Sequence, residues 1–251
     1  GLLPLLVRET EGVSYRLPSW EPDKVDDEFL VASPLPRVRN HLHLAVQSGC
    51  DSVLARMGRG YRAADVRRAV RDLRAAKADP FLGADLIAGF PGETEEEFRA
   101  GFDLAAELDF AWIHAFPFSP RPGTKAFGMR PKVPERTAGA RVEALLDLGR
   151  RGRGAYAARA VGRLTRAILE DPEEEDGAEA AGGAADYEPG PDPAREAAVA
   201  AISDEYLRLE VTGIPESLRR RGAEVSCRIV EALPGAGDLG IPDARAEFVR
   251  P

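Results

Sequence analysis

Three short apolar runs, each broken by glycine or proline and each followed by a helix-length pattern, constrain this chain more than anything else in it. They read HLHLAVQSGC at 41–50, ADLIAGFPGETEEEF at 84–98 and WIHAFPFSPRPGT at 112–124. Strand, loop and helix repeated in that order call for a parallel sheet covered by helices. In such sheets ligands collect at the carboxyl ends of the strands, where loops vary without disturbing the core. Three such segments in succession predict that one edge of the sheet is a binding site.

The periodicity fills in the elements between them. A strand at 13–17 leads into a polar turn and a short helix, and the next strand is 40–46. That strand alternates, with His41, His43 and Ala45 on one face and Leu42, Leu44 and Val46 on the other. Apolar residues toward covering helices and polar ones inward suit a barrel strand with a polar lumen. Helices are predicted at 51–57, at 62–78 and at 94–109, where Thr94 and Glu97 form a capping box. Strands at 82–88 and 111–117 and a helix at 138–160 complete this part. Beyond it, 161–170, 204–214 and 223–233 alternate as strands of a small β-barrel. The expected division is 1–160 and 161–251.

Charge is distributed unevenly. Residues 170–200 hold eleven acids against one base, a charge of −10, so the rest of the chain carries +2 of the total −8. The stretch 171–200 is also rich in Gly, Pro and Ala, and it reads as a disordered insert in a hairpin of the small barrel. Eight arginines against two acids mark 136–166 as basic. No apolar run approaches the roughly 18 residues of a transmembrane helix. The opening GLLPLLVRETEG lacks the leading basic residues of a signal peptide and reads as the middle of a domain. The two cysteines, Cys50 and Cys227, have no metal-site spacing and fit a reducing, cytoplasmic setting.

Each polar group near a strand end has a chemical and a plain reading. Gln47 and Ser48 offer donors and acceptors beside a helix start, which suits a carboxylate or ribose; the plain reading is a turn with Ser48 as a cap. Glu21, in the Ser19-Trp20-Glu21-Pro22 turn, suits a ribose or an ammonium group, or is a solvated acid. The turn Gly89–Thr94, which includes Glu93, lets backbone approach a ligand ring closely. Asp85 lies inside an apolar strand, and a carboxylate at that depth needs a partner. Arg121, between two prolines, is aimed for anion binding. His41 and His43 share a strand face but have no third ligand near in sequence, so they are read as lumen histidines without metal. Cys50 is expected at a helix start and Cys227 in a strand core. Arg219, Arg220 and Arg221 form a turn that, with Tyr206 and Arg208 in the same barrel, can contact an RNA backbone.

Taken together, YRLPSWEP, HLHLAVQSGCDSVLARMGRGY, DLIAGFPGETEEEF and FPFSPRPGT resemble the signature segments of the radical-SAM tRNA methylthiotransferases, and 161–233 resembles their RNA-binding TRAM domain. The DEYLRLEV pattern and the QSGC form favour the branch acting on threonylcarbamoyl-adenosine over the isopentenyl-adenosine branch. The resemblance implies S-adenosylmethionine (SAM) as cofactor, with Ser19, Glu21, Gln47, Ser48, Asp85, Glu93 and Arg121 around it, tRNA as partner and two [4Fe–4S] clusters. Its CxxxCxxC cluster motif is absent, and two isolated cysteines cannot supply three thiolates. The chain is therefore expected to correspond to the carboxyl-terminal part of such an enzyme, four of six barrel strands plus the TRAM-like barrel, and to be inactive without the amino-terminal part. Ala45 and Pro18 also depart from the family's usual residues. The alternatives are a different radical-SAM enzyme, of the coproporphyrinogen-oxidase type, and a non-catalytic tRNA-binding protein.

Overall fold

The computed structural model describes residues 2–170, 198–237 and 240–250, so most of the acidic stretch 171–200 lies outside the described residues. The chain divides into two compact units, Gly1–Tyr156 and Ala157–Pro251. The division falls in the last turn of a long helix.

The first unit is built on four strands, β1 (Tyr15–Trp20), β2 (Val38–Gln47), β3 (Phe81–Ala88) and β4 (Trp112–Pro117). They form one sheet in the order β1-β2-β3-β4, with every neighbouring pair parallel. Parallel neighbours need a crossover between them, and helices supply it. These are α2 (Asp27–Ala32), α3 (Asp51–Met57), α4 (Ala63–Ala76) and α5 (Glu95–Glu107), while α1 (Leu2–Glu9) precedes the sheet and α6 (Lys125–Gly128) and α7 (Glu135–Ala160) follow it. Val66, Ala69, Val70 and Leu73 make the buried stripe of α4. They pack in one core with Leu42, Leu44 and Val46 of β2 and Leu82, Ala84 and Leu86 of β3. The opposite sheet face therefore carries His41, His43 and Ala45, Gly83 and Asp85, and Trp112 and His114. The even alternation of β2 is what sorts these two sets.

Two strands end with a change of register. The β1–β2 ladder shifts between Leu17 and Trp20, and the β2–β3 ladder between Leu44 and Gln47. Ser19 and Gln47 take left-handed φ values of 58° and 63° within these shifts, and Gly89, just past β3, takes 79°. Left-handed backbone is costly for a serine or a glutamine and persists where the surroundings impose it, which occurs most often at functional sites.

The second unit holds five strands: β5 (Leu164–Leu169), β6 (Val199–Ser203), β7 (Arg208–Thr212), β8 (Glu224–Ala232) and β9 (Ala244–Phe248). They close into a barrel in the order β5-β6-β7-β9-β8, with β7 and β9 parallel and the other pairs antiparallel. Ala167, Leu169, Leu209, Val211, Cys227, Ile229, Ala244 and Ala246 fill the interior. The sequence patterning gives three of these strands. It misses β6, whose start at Val199 falls inside the stretch assigned to the insert, and β9, whose ARAEF alternates small and polar residues without an apolar signal. The run 204–206 is a turn rather than strand, and Tyr206 there has φ 73°.

Helix α7 approaches the sheet closely only because of two glycines. A Cβ on Gly149 would lie 3.0 Å from the Ile113 backbone nitrogen, and one on Gly152 would overlap the Phe110 carbonyl, whereas one on Gly139 would meet nothing. Gly152→Ala should therefore destabilise the protein by about 1–3 kcal/mol through overpacking. Gly139→Ala, on the same helix, should be neutral or stabilising by up to about 1 kcal/mol. Urea unfolding of the two variants checks this; equal effects would mean that helix propensity, not contact with the sheet, decides both.

Candidate functional site

The carboxyl edge of the sheet gathers the predicted strand-end residues. Ser19 is the next-to-last residue of β1 and Glu21 follows it, Gln47 ends β2 and Ser48 follows it, Gly89–Glu93 follow β3 and Arg121 lies beyond β4. Because the strands are parallel and adjacent in sequence order, all four connections leave the same edge. Gln47 is half-buried and Ser48 buried, while Ser19 and Arg121 are exposed. The Ser48 hydroxyl accepts from the Cys50 N–H at 3.2 Å, a bond within the turn before α3; the helix N-cap is Cys50, with no side-chain cap bond, so the expected Ser48 cap is not formed. A Cβ on Gly49 would sit 2.8 Å from the Leu104 side chain, which is why the turn between β2 and α3 can lie against α5.

Several carboxylates at this edge already have partners. Glu93 is buried; its Oε2 accepts from the Gly89 N–H at 2.7 Å and from the Arg141 guanidinium at 2.8 Å. Burial still pushes its pKa above the usual value, with those two donors opposing. Glu93 thus holds the turn after β3, with both donors on its Oε2. Glu21 accepts from Arg59 at 2.6 Å with its side chain 42% exposed, a partner the sequence does not announce. Glu97 completes the capping box with Thr94 and also takes two hydrogen bonds from Arg56, at 2.8 and 2.6 Å, plus one from Ser52. That network ties α3 to α5 beneath the turn.

Asp85 finds its partners inside the sheet. Its Oδ1 lies 2.9 Å from His43 Nε2 and 3.4 Å from His114 Nδ1. His114 stands directly across the β3–β4 ladder from Asp85, and His43 stands across β2–β3 from Gly83. Gly83 is required there, because a Cβ would run into the His43 ring. Trp112 meets both imidazoles edge-on, with ring centroids 6.4 Å from His43 and 4.3 Å from His114. Burial alone would raise the Asp85 pKa, but hydrogen bonds from His114 and His43 outweigh it and hold the carboxyl well below the usual carboxylate range. His41 is different: burial, with the Arg16 charge next, pushes its imidazole down to about 3, so it is neutral. His41 and His43, expected together as lumen histidines, thus differ: His43 joins a His43–Asp85–His114 group drawn from three strands, and His41 does not. Sequence reading missed it because a strand face hides partners 42 and 71 residues away.

Tyr61 is a second missed residue. It is fully buried, and its hydroxyl donates to the Ala45 carbonyl at 2.7 Å, where β2 approaches its irregular end. Burial raises its pKa to about 12. The signal was a lone tyrosine in the Gly60-Tyr61-Arg62 turn.

In the barrel, the structure separates the basic residues that the sequence grouped. Arg219–Arg221 lie in the β7–β8 connection, at the end where Leu169 and Val199 sit. Tyr206 and Arg208 lie at the opposite end of β7, roughly 14 Å away by strand rise. Cys50 precedes α3 and Cys227 is buried in β8. The two thiols belong to different units, and with no third cysteine in the chain they do not fit an iron–sulfur cluster.

Residues 14–105 match the Radical SAM superfamily. The chain is 49% identical over 170 residues to the threonylcarbamoyladenosine tRNA methylthiotransferase MtaB of Treponema pallidum, covering 68% of this chain and 35% of that protein. It is 37% identical over 170 residues to the MtaB of Thermotoga maritima, covering 67% and 39%. Identity to the tRNA-2-methylthio-N(6)-dimethylallyladenosine synthase of Aromatoleum aromaticum is 41% over 156 residues, covering 61% and 34%. The chain thus spans little more than a third of the length of these relatives. Among solved structures, the coproporphyrinogen III oxidase HemN of Escherichia coli aligns with a TM-score of 0.50 at 16% identity, over 60% of this chain and 36% of that one, a likeness of fold.

Glu97 gives a pH test of this frame. Its pKa is held at about 2 against an ordinary 4.5, first by the Arg56 hydrogen bonds, with burial opposing and Ser52 and the Thr94 N–H assisting. A depressed carboxylate contributes stability that is complete above the unfolded-state pKa and lost as pH falls through the folded one. Glu97→Gln should therefore cost about 1–2 kcal/mol at pH 7, at the low end for charged hydrogen bonds because Arg56 is one-third exposed. The difference from the parent should shrink as pH falls from about 4.5 toward 2. A pH-independent difference in urea titrations would mean the packing of Glu97, not its charge, ties α3 to α5.

Proposed function

From a chain whose residues 14–105 belong to the radical SAM superfamily, and whose relatives include tRNA methylthiotransferases, we propose a role in adding a methylthio group to carbon 2 of a modified adenosine beside the anticodon of tRNA. The substrate favoured is threonylcarbamoyl-adenosine, from the higher identity to the protein bearing that name. The observation that carries the reading is the convergence at one sheet edge: two adjacent parallel strands end in left-handed Ser19 and Gln47, each at a break in register.

SAM presents an amino acid, a ribose diol and a flat adenine. The half-buried Gln47 carboxamide offers both a donor and an acceptor to one of these ends. Glu21, although paired with Arg59, keeps an exposed carboxylate that can accept from a diol or an ammonium group. Arg121 offers its guanidinium to a carboxylate. When bound, SAM supplies the radical and the methyl group for the family's chemistry. These residues hold and orient it. The cysteines that would carry a cluster are not among the 251 residues, so the chain by itself is not expected to cleave SAM.

The barrel is assigned to tRNA. Its strand order, first-second-third-fifth-fourth with closure on the first, is that of oligonucleotide-binding barrels. Such barrels bind nucleic acid across their second and third strands, here β6 and β7, where Arg208 starts β7 and Tyr206 sits in the hairpin turn. Arg219, Arg220 and Arg221 would act from the other end as backbone contacts whose contribution falls with salt.

Binding of SAM to the 251-residue chain, measured by calorimetry, tests the site. Gln47→Ala and Arg121→Ala should each weaken it roughly ten- to a hundred-fold, the equivalent of about 1.5–3 kcal/mol for a lost hydrogen bond to a charged group. Arg219→Ala should leave it unchanged. Parental affinity in both strand-end variants would move the site elsewhere.

A further inference from the structure

We propose that His43, Asp85 and His114 bind one divalent transition-metal ion of the zinc, cobalt(II) or iron(II) type on the inner face of the sheet. Their ligand atoms, His43 Nε2, Asp85 Oδ1 and His114 Nδ1, all lie within 4.8 Å of one another. For ligands about 2.0–2.2 Å from a metal, neighbouring donor atoms stand roughly 3–3.5 Å apart. Of the two distances to Asp85 Oδ1, 3.4 Å falls within that range and 2.9 Å just below it. Two imidazoles and a carboxylate are also the donor set that divalent zinc and non-haem iron take with positions left open.

The scaffold is preorganised for this. Each ligand comes from the middle of a different strand, so hydrogen-bonded sheet backbone sets their spacing. Gly83 clears space for the His43 ring, and Trp112 fixes the edges of both imidazoles. His43 is buried, but the side chains of Asp85 and His114 are 20% and 39% exposed, so the group opens on one side to a further ligand. Arg153 is held over the Phe81 and Trp112 rings, at 5.4 and 4.9 Å.

A metal-free alternative is a hydrogen-bonded triad in which both imidazoles simply neutralise Asp85. The two are separated by titrating the full chain, freed of metal by chelation, with cobalt(II) and then zinc(II). One equivalent of cobalt should give visible d–d absorption that zinc abolishes. Asp85→Asn and His114→Ala should each weaken binding by more than the roughly 10- to 100-fold that loss of a supporting contact causes. Circular dichroism confirms that the variants fold, and His114, being partly exposed, is the safer of the two. Cys50→Ser should bind like the parent. No cobalt absorption in the parent, or binding that survives His114→Ala and is lost in Cys50→Ser, would overturn the proposal.

Discussion

A carboxylate in the middle of a buried parallel strand is the constraint around which the first unit is arranged. Asp85 interrupts an otherwise apolar β3, and an unpaired charge at that depth would cost several kcal/mol. The neighbouring strands answer it from both sides, β2 with His43 and β4 with His114. That answer fixes register. A one-residue slip of β4 would send His114 into the helix-packed core and leave Asp85 with one partner. It also requires glycine at position 83 and places Trp112 against both imidazoles.

The strand ends are governed by a different demand. The β3–β4 pairing is regular throughout, whereas the β1–β2 and β2–β3 ladders shift register toward the carboxyl edge, where Ser19 and Gln47 turn left-handed. The frame beneath is held by ion pairs and a buried hydrogen bond. Arg141–Glu93 supports the turn after β3, Arg56–Glu97 ties α3 to α5, and the Tyr61 hydroxyl holds the last regular carbonyl of β2. Strain at the edge can persist because this layer is rigid.

Much of this was legible in the sequence because the strands report their faces. The alternation of HLHLAV placed His41 and His43 inward, and the Thr94–Glu97 box marked the start of α5. Asp85 was recognisable as a group needing partners, but not which ones, because pairing across a parallel sheet joins residues that sequence spacing cannot connect. The partner of Glu93 was hidden for a related reason: Arg141 lies on α7, 48 residues on. In the barrel, β9 escaped notice because alanines fill its inward positions, and small residues carry little periodic signal. The basic residues Arg208 and Arg219–Arg221 looked like one patch because a strand of five residues separates them little in sequence and by a barrel's height in space.

The measurement that bears most directly on this account is nitrogen-15 NMR of histidine-labelled protein in chelator, which reads the tautomer of each imidazole. If Asp85 is the shared acceptor, His43 carries its proton on Nε2 and His114 on Nδ1, while His41 stays neutral down to acid pH. Asp85→Asn should then change the tautomer balance of both His43 and His114 and leave His41 alone. If His43 and His114 instead populate both tautomers as free imidazoles do, and Asp85→Asn changes neither, the carboxylate is not the organising group of this sheet.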